Sequence, residues 1–169
     1  MREMSKMWLD EAWGEGRHVK RVEKIDPHSG IVLTNGVFDI LHKGHIELLK
    51  FSKLQGNKLV VAIDSDERVR QLKGKDRPIN NEEDRRRILE TNRYVDSVVT
   101  FNTTDELKSL YNTLSPDVIV KGSEWTADEV RERDCIPDNI QIKVYPLVGK
   151  YSTTHTMRKI RGMETCEKV

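Results

Sequence analysis

Five short runs of aliphatic and β-branched residues recur along the chain, at 31–35 (IVLTN), 58–63 (KLVVAI), 97–101 (SVVTF), 117–120 (DVIV) and 141–146 (QIKVYP). Runs this short and this apolar, set among stretches long enough for helices, are the pattern of strands covered on both faces. The pattern predicts an α/β fold, a doubly wound parallel sheet of about five strands. Helices are predicted at roughly 44–55, 81–92, 105–113 and 153–161. The first has no clean apolar stripe, because Ile46, Leu48, Leu49, Phe51 and Leu54 spread around the wheel; its length and Gly56 as a stop argue for it. The second begins with a capping residue, Asn81, followed by Glu82, Glu83 and Asp84 at the positive end of the helix dipole.

With 169 residues there is enough chain for a single domain with one core. We expect that domain to cover 30–162, preceded by an N-terminal arm at 1–29 that carries Trp8 and Trp13 and followed by a tail at 163–169. Lys and Arg number 29 against 28 Asp and Glu, a balance that argues against nucleic acid or a membrane surface as partner. Cys135 and Cys166 follow no metal-ligand spacing and read as free thiols. No run approaches the ~20 apolar residues of a membrane span, and the start of the chain lacks a signal-peptide core, so a cytoplasmic location is expected.

Chemistry concentrates at Thr34–His45, TNGVFDILHKGH, where the first strand runs into the first helix. In open parallel sheets that crossing is where ligands bind. Gly36 and Gly44 allow close backbone approach, and free N–H groups at a helix start favour an anion. His42 and His45, two residues apart, can both donate to a phosphate that gains charge in a transition state. Metal ligation by the two histidines is the competing reading, but nothing nearby completes a soft ligand set.

Gly36–His45 resembles the G-x-F-D-x-x-H-x-G-H motif of the cytidylyltransferase-like nucleotidyltransferases. The resemblance implies a Rossmann-like sheet, catalysis without a covalent intermediate, stabilisation of the triphosphate by His42 and His45 with help from Lys43, and a nucleotide or metal role for Asp39. Asn35, Gly36, Phe38 and Gly44 are expected around the nucleotide. Three further blocks narrow the resemblance. Lys73–Asn80 is similar to the K-G-x-x-R-P-[VI]-N stretch of the adenylyltransferases that make ADP-heptose, and implicates Lys73 and Lys75 in phosphate binding and Arg77 in acceptor binding. Asp117–Trp125 carries the V-K-G of the same enzymes, with Lys121 and Gly122 at a strand end, where Lys121 could hold a phosphate of substrate or nucleotide or be a surface lysine. Tyr151, Ser152, Thr153 and Thr154 resemble their Y-S-T-T, a helix start able to hold a phosphate.

Arg85 is expected on the core-facing side of its helix beside Ile88 and Leu89, where it needs a buried carboxylate or a ligand phosphate. Asp64, Asp66, Asp96 and Glu124 complete the residues assigned to the acceptor. The stretch Ile88–Asp96 is instead close to the glycerol-3-phosphate cytidylyltransferases, although Leu147 stands where those enzymes carry an arginine. The activity implied is therefore transfer of AMP from ATP to a sugar 1-phosphate. CTP with a polyol phosphate is the alternative, and a non-catalytic nucleotide-binding module a third. Mg²⁺ travelling with the nucleotide and assembly as a homodimer follow from the same resemblance.

Overall fold

The computed structural model describes residues 30–122, 125–146, 153–160 and 162. In chain order its elements are β1 (Ile31–Gly36), α1 (Lys43–Lys53), β2 (Lys58–Asp64), α2 (Asp66–Lys73), α3 (Glu82–Glu90), β3 (Ser97–Phe101), α4 (Thr104–Leu114), β4 (Val118–Gly122), α5 (Ala127–Asp134), β5 (Gln141–Tyr145) and α6 (Thr153–Ile160). The arm at 1–29 and the tail at 163–169 lie outside the described residues.

All five apolar runs are strands, paired in parallel in the order β3-β2-β1-β4-β5. Successive side chains leave a strand on opposite faces, so each strand feeds two cores. Ile31 and Leu33 of β1, Val60 and Ala62 of β2 and Val99 and Phe101 of β3 pack with Leu107, Leu110, Tyr111 and Leu114 of α4 and Val130 of α5. The alternate residues Val32, Leu59, Val61, Ile63, Val98, Val118 and Val120 pack with Leu48 and Leu49 of α1 and Leu89 of α3 on the other face. Burial on both sides explains why the runs read as continuous rather than alternating.

Two helices were not anticipated. Helices α2 and α5 are mostly charged and bury only Val69 in one case and Val130 and Asp134 in the other, so no apolar stripe marks them. Their caps do the local work: the Ser65 hydroxyl accepts from Arg68 N at 3.2 Å, and Thr126 and Glu129 form a reciprocal capping box. The T-x-x-E spacing of that box was the legible sign of α5.

Gly56 also has a different reason from the one expected. Helix α1 ends at Lys53, and a Cβ on Gly56 would lie 2.5 Å from the Gly30 carbonyl oxygen and 2.8 Å from Val32 Cγ2. Close backbone approach, rather than a left-handed stop, demands glycine there. No helix among the described residues is long and apolar enough to cross a membrane.

The chain steps from β1 outward to β2 and β3, then returns to place β4 on the other side of β1. The order therefore reverses between β1 and β4, and the carboxyl ends of these two strands border a crevice.

Candidate active site

A cleft of roughly 730 Å³ opens at that reversal. It gathers Asn35, Gly36, Phe38, Asp39, His42, Gly44, His45, Asp64, Lys73, Arg77, Lys121, Gly122 and Thr153 from widely separated parts of the sequence. Its centre is the loop between β1 and α1. Phe38 and Ile40 there have φ of 52° and 50°, in the left-handed region that non-glycine residues avoid at a cost of about 1–2 kcal/mol each.

The surroundings hold that strained path at Val37, Phe38 and Asp39. Arg85 Nη1 donates to the Val37 carbonyl at 2.7 Å. The Phe38 ring is buried and lies 5.3 Å from the His45 ring. The Asp39 carboxylate accepts from the backbone N–H of Ile79 at 2.8 Å and of Asn80 at 3.0 Å, with Arg77 Nη1 at 3.4 Å. Thr153, the first residue of α6, donates its hydroxyl to the Asp39 carbonyl at 2.7 Å.

The loop delivers two imidazoles to the start of α1. His42 is the N-cap and His45 lies one turn in; their rings stack with centroids 3.8 Å apart and planes 18° from parallel. The His42 N–H points at His45 Nδ1 across 3.4 Å, which leaves the proton of a neutral His45 on Nε2. Burial, and then the charges of His42 and Lys73 against a smaller opposing pull from Asp39, push His45 down to about 4. Burial also lowers His42. At neutral pH both imidazoles are uncharged, and each keeps one N–H able to donate a hydrogen bond. Helix α1 has no acidic residue in its first turn, so its positive end reaches the cleft unneutralised.

Lys121, expected to bind a phosphate, is 7% exposed, and its Nζ lies 2.6 Å from Asp134 Oδ2 and 2.7 Å from Asn35 Oδ1. Burial lowers its pKa, opposed by Asp134; burial would raise Asp134, but Lys121 and Arg133 hold that carboxyl below its ordinary range. Lys121 thus ties the end of β4 to the end of β1 with its charge engaged. Gly122 follows at the cleft wall, where a Cβ would come within 3.1 Å of Leu48.

Several expected site residues stand elsewhere. Arg85 is fully buried beneath the cleft, and besides Val37 it donates to the carbonyls of Asp64 at 2.9 Å and Asn80 at 3.1 Å and to Asp66 Oδ1 at 2.8 Å. It shares its face with Leu89, whereas Ile88 turns outward. The guanidinium braces three loops with four of its five N–H groups engaged by the protein, and Asp66 belongs to that brace. Asp96 sits at the opposite, amino-terminal edge of the sheet, where it accepts from Leu59 N at 2.8 Å and pairs with Lys53, and it is not part of the cleft wall. Lys43 and Lys75 are exposed and are not part of the cleft wall. Glu124, Tyr151, Ser152 and the side chain of Thr154 lie outside the described residues.

Five polar or aromatic residues of the wall have no role assigned from the sequence: Arg68, Trp125, Arg133, Asp134 and Tyr145. Arg68 is held by Asp64 Oδ1 at 2.8 Å over the Phe101 ring. Trp125 ends the Asp117–Trp125 block without a role of its own, and no motif marks the other four; the folding of α2, α5 and β5 toward one crevice brings those in.

For a metal, Asp39 is the one residue expected to serve. Both its oxygens already accept backbone N–H groups, and among the described residues no group of three or more His, Cys, Asp or Glu could hold an ion. Among the described residues the donor set does not fit a resident metal.

The Cytidylyltransferase-like family matches residues 33–163. The chain is 37% identical over 168 residues to the bifunctional protein HldE of Campylobacter fetus, across 90% of this chain and 36% of that one. It is 42% identical over 130 residues to the HldE of Koribacter versatilis, across 76% of this chain and 26% of that one. It therefore spans about a third or less of the length of these relatives. Among solved structures, the lipopolysaccharide core biosynthesis protein of Thermoplasma volcanium superposes with a TM-score of 0.58 at 32% identity, over 73% of this chain and 99% of that one. Pantothenate synthetase of Thermus thermophilus, at 13% identity and a TM-score of 0.57 over 85% of this chain and 74% of that one, shares the fold.

Proposed function

The chain belongs to the cytidylyltransferase-like family and is a nucleotidyltransferase, and from that premise we propose that it transfers AMP from ATP to a sugar 1-phosphate resembling heptose 1-phosphate. The observation that carries the reading is the stacked, neutral His42–His45 pair at the positive end of α1, inside a cleft with cations on its flanks. The blocks shared with ADP-heptose-forming enzymes, and the similarity to HldE and to a lipopolysaccharide core biosynthesis protein, support the acceptor class.

An oxygen of the acceptor phosphate attacks the α-phosphorus of ATP, forming a phosphorus–oxygen bond in line as the bond to the β-phosphate oxygen breaks. Pyrophosphate leaves with the electron pair of that bond. Negative charge shifts across the α-phosphate oxygens, where Nε2–H of neutral His45 and the His42 ring donate hydrogen bonds. Lys73 and Arg77 line the α2 side of the cleft and meet phosphate charge there. A Mg²⁺ carried in by the triphosphate would supply further charge neutralisation. Catalysis rests on position and electrostatics, since no nucleophilic side chain is required.

The test is pyrophosphate release with Mg²⁺, crossing ATP and CTP with heptose 1-phosphate and glycerol 3-phosphate. Release is expected with ATP and heptose 1-phosphate, with a loss of at least ~100-fold in His45→Ala. Release only with CTP reassigns the protein to the cytidylyltransferases. Tight nucleotide binding without release under any pairing overturns the transferase reading in favour of a binding module.

A further inference from the structure

The cation best placed on the β4 side of the cleft is one that no motif indicated. Lys121 is engaged, with its Nζ between Asp134 Oδ2 at 2.6 Å and Asn35 Oδ1 at 2.7 Å. The other oxygen of the same carboxylate, Asp134 Oδ1, accepts from Arg133 Nε at 2.9 Å. One carboxylate between two cations leaves a positive charge in excess. Of the two, only Arg133 reaches solvent, its side chain being 44% exposed against 8% for Lys121. The Arg133 guanidinium lies 5.2 Å from the centre of the Trp125 ring, and both residues line the cleft. A carboxylate at Nε and an aromatic face against the plane hold a guanidinium in one orientation. Neither Nη nitrogen donates to a protein group among the described residues.

A planar fork with its inner edge anchored and its outer edge open is what bidentate phosphate recognition requires. We propose that Arg133 is the phosphate-binding residue of the β4 side of the cleft, oriented by Asp134 and Trp125, with Lys121 as the buried counter-cation that keeps Asp134 in place. The ligand class is a phosphoryl dianion or polyphosphate. It reaches the cleft either as the triphosphate of the nucleotide or as the phosphate of the acceptor. The proposal deepens the transferase reading, yet it concerns binding and can be tested without turnover.

The experiment is calorimetric titration of the wild-type chain, Arg133→Gln and Arg133→Lys with ATP, inorganic pyrophosphate, inorganic phosphate and heptose 1-phosphate, at two salt concentrations, with a melting curve for each variant. In Arg133→Gln at least one ligand is expected to bind ~10–100-fold more weakly, with a shallower salt dependence and an unchanged melting temperature. Arg133→Lys restores part of the loss, because charge returns without the fork. Loss confined to ATP and pyrophosphate places Arg133 on the triphosphate; loss confined to phosphate and heptose 1-phosphate places it on the acceptor. Affinities within twofold of wild type for every ligand overturn the proposal. So does a uniform loss accompanied by a fall in melting temperature, which marks Arg133 as structural. If the wild type takes neither ATP nor heptose 1-phosphate, the transferase reading fails while the phosphate and pyrophosphate titrations still decide the role of Arg133; no binding of these either overturns both.

Discussion

Protonation of His45 links the site to the stability of the fold. Its pKa in the folded protein is about 4, against roughly 6.5 in an unfolded chain. Between those values the unfolded chain holds a proton that the folded one refuses, so stability rises with pH across the window. The contribution is complete above 6.5 and is lost as pH falls toward 4, amounting to at most about 3 kcal/mol. His42 is shifted in the same direction by burial. Thermal unfolding at pH 7 and pH 4.5 should show a larger drop for the wild type than for His45→Gln. An equal drop in both would assign the acid sensitivity to other groups. The same shift means that the imidazoles are already neutral near pH 7, so raising the pH further removes nothing from their role as donors.

At the scale of elements, local backbone geometry makes two predictions of opposite sign. Ser115 closes α4 with φ of 44°, a left-handed cap that glycine adopts without penalty. Ser115→Gly should stabilise the protein by about 0.5–1 kcal/mol, less the exposed hydroxyl bond to Asn112. Gly56→Ala should do the reverse, by about 1–3 kcal/mol, because its Cβ would strike the Gly30 carbonyl and Val32. Denaturant midpoints of the two variants check both signs, and a neutral Gly56→Ala would show that the turn after α1 can move. The β1–α1 loop differs from the α4 cap. Its two left-handed residues, Phe38 and Ile40, flank Asp39, and contacts from α3, the 77–80 loop and α6 to Val37 and Asp39 hold the path that leads to His42 and His45.

For the molecule as a whole, stability is graded across the sheet. Strand β2 is buried over Leu59–Asp64, with neighbours on both sides, whereas β5 is an edge strand with no fully buried residue. Native-state hydrogen exchange should therefore find the β2 amides opening only with global unfolding and those of β5 exchanging earlier. Equal protection of the two strands would mean that another surface covers β5.

The sequence alone determined the strands, the parallel α/β class, the cap at Asn81 and the histidine pair, because each rests on periodicity or on spacing within a dozen residues. The charged helices α2 and α5 escaped it, since a helix that buries one or two residues leaves no stripe. Only the tertiary structure decided how charge is shared. Lys121 and Arg85 look like phosphate ligands in sequence, but their partners Asp134, Asn35, Asp66 and Val37 come from other elements. Asp96 lies near site residues in the chain and at the far edge of the sheet in space. Whether a cation is free to meet a ligand depends on what is packed against it, and that is a property of the fold, not of the motif.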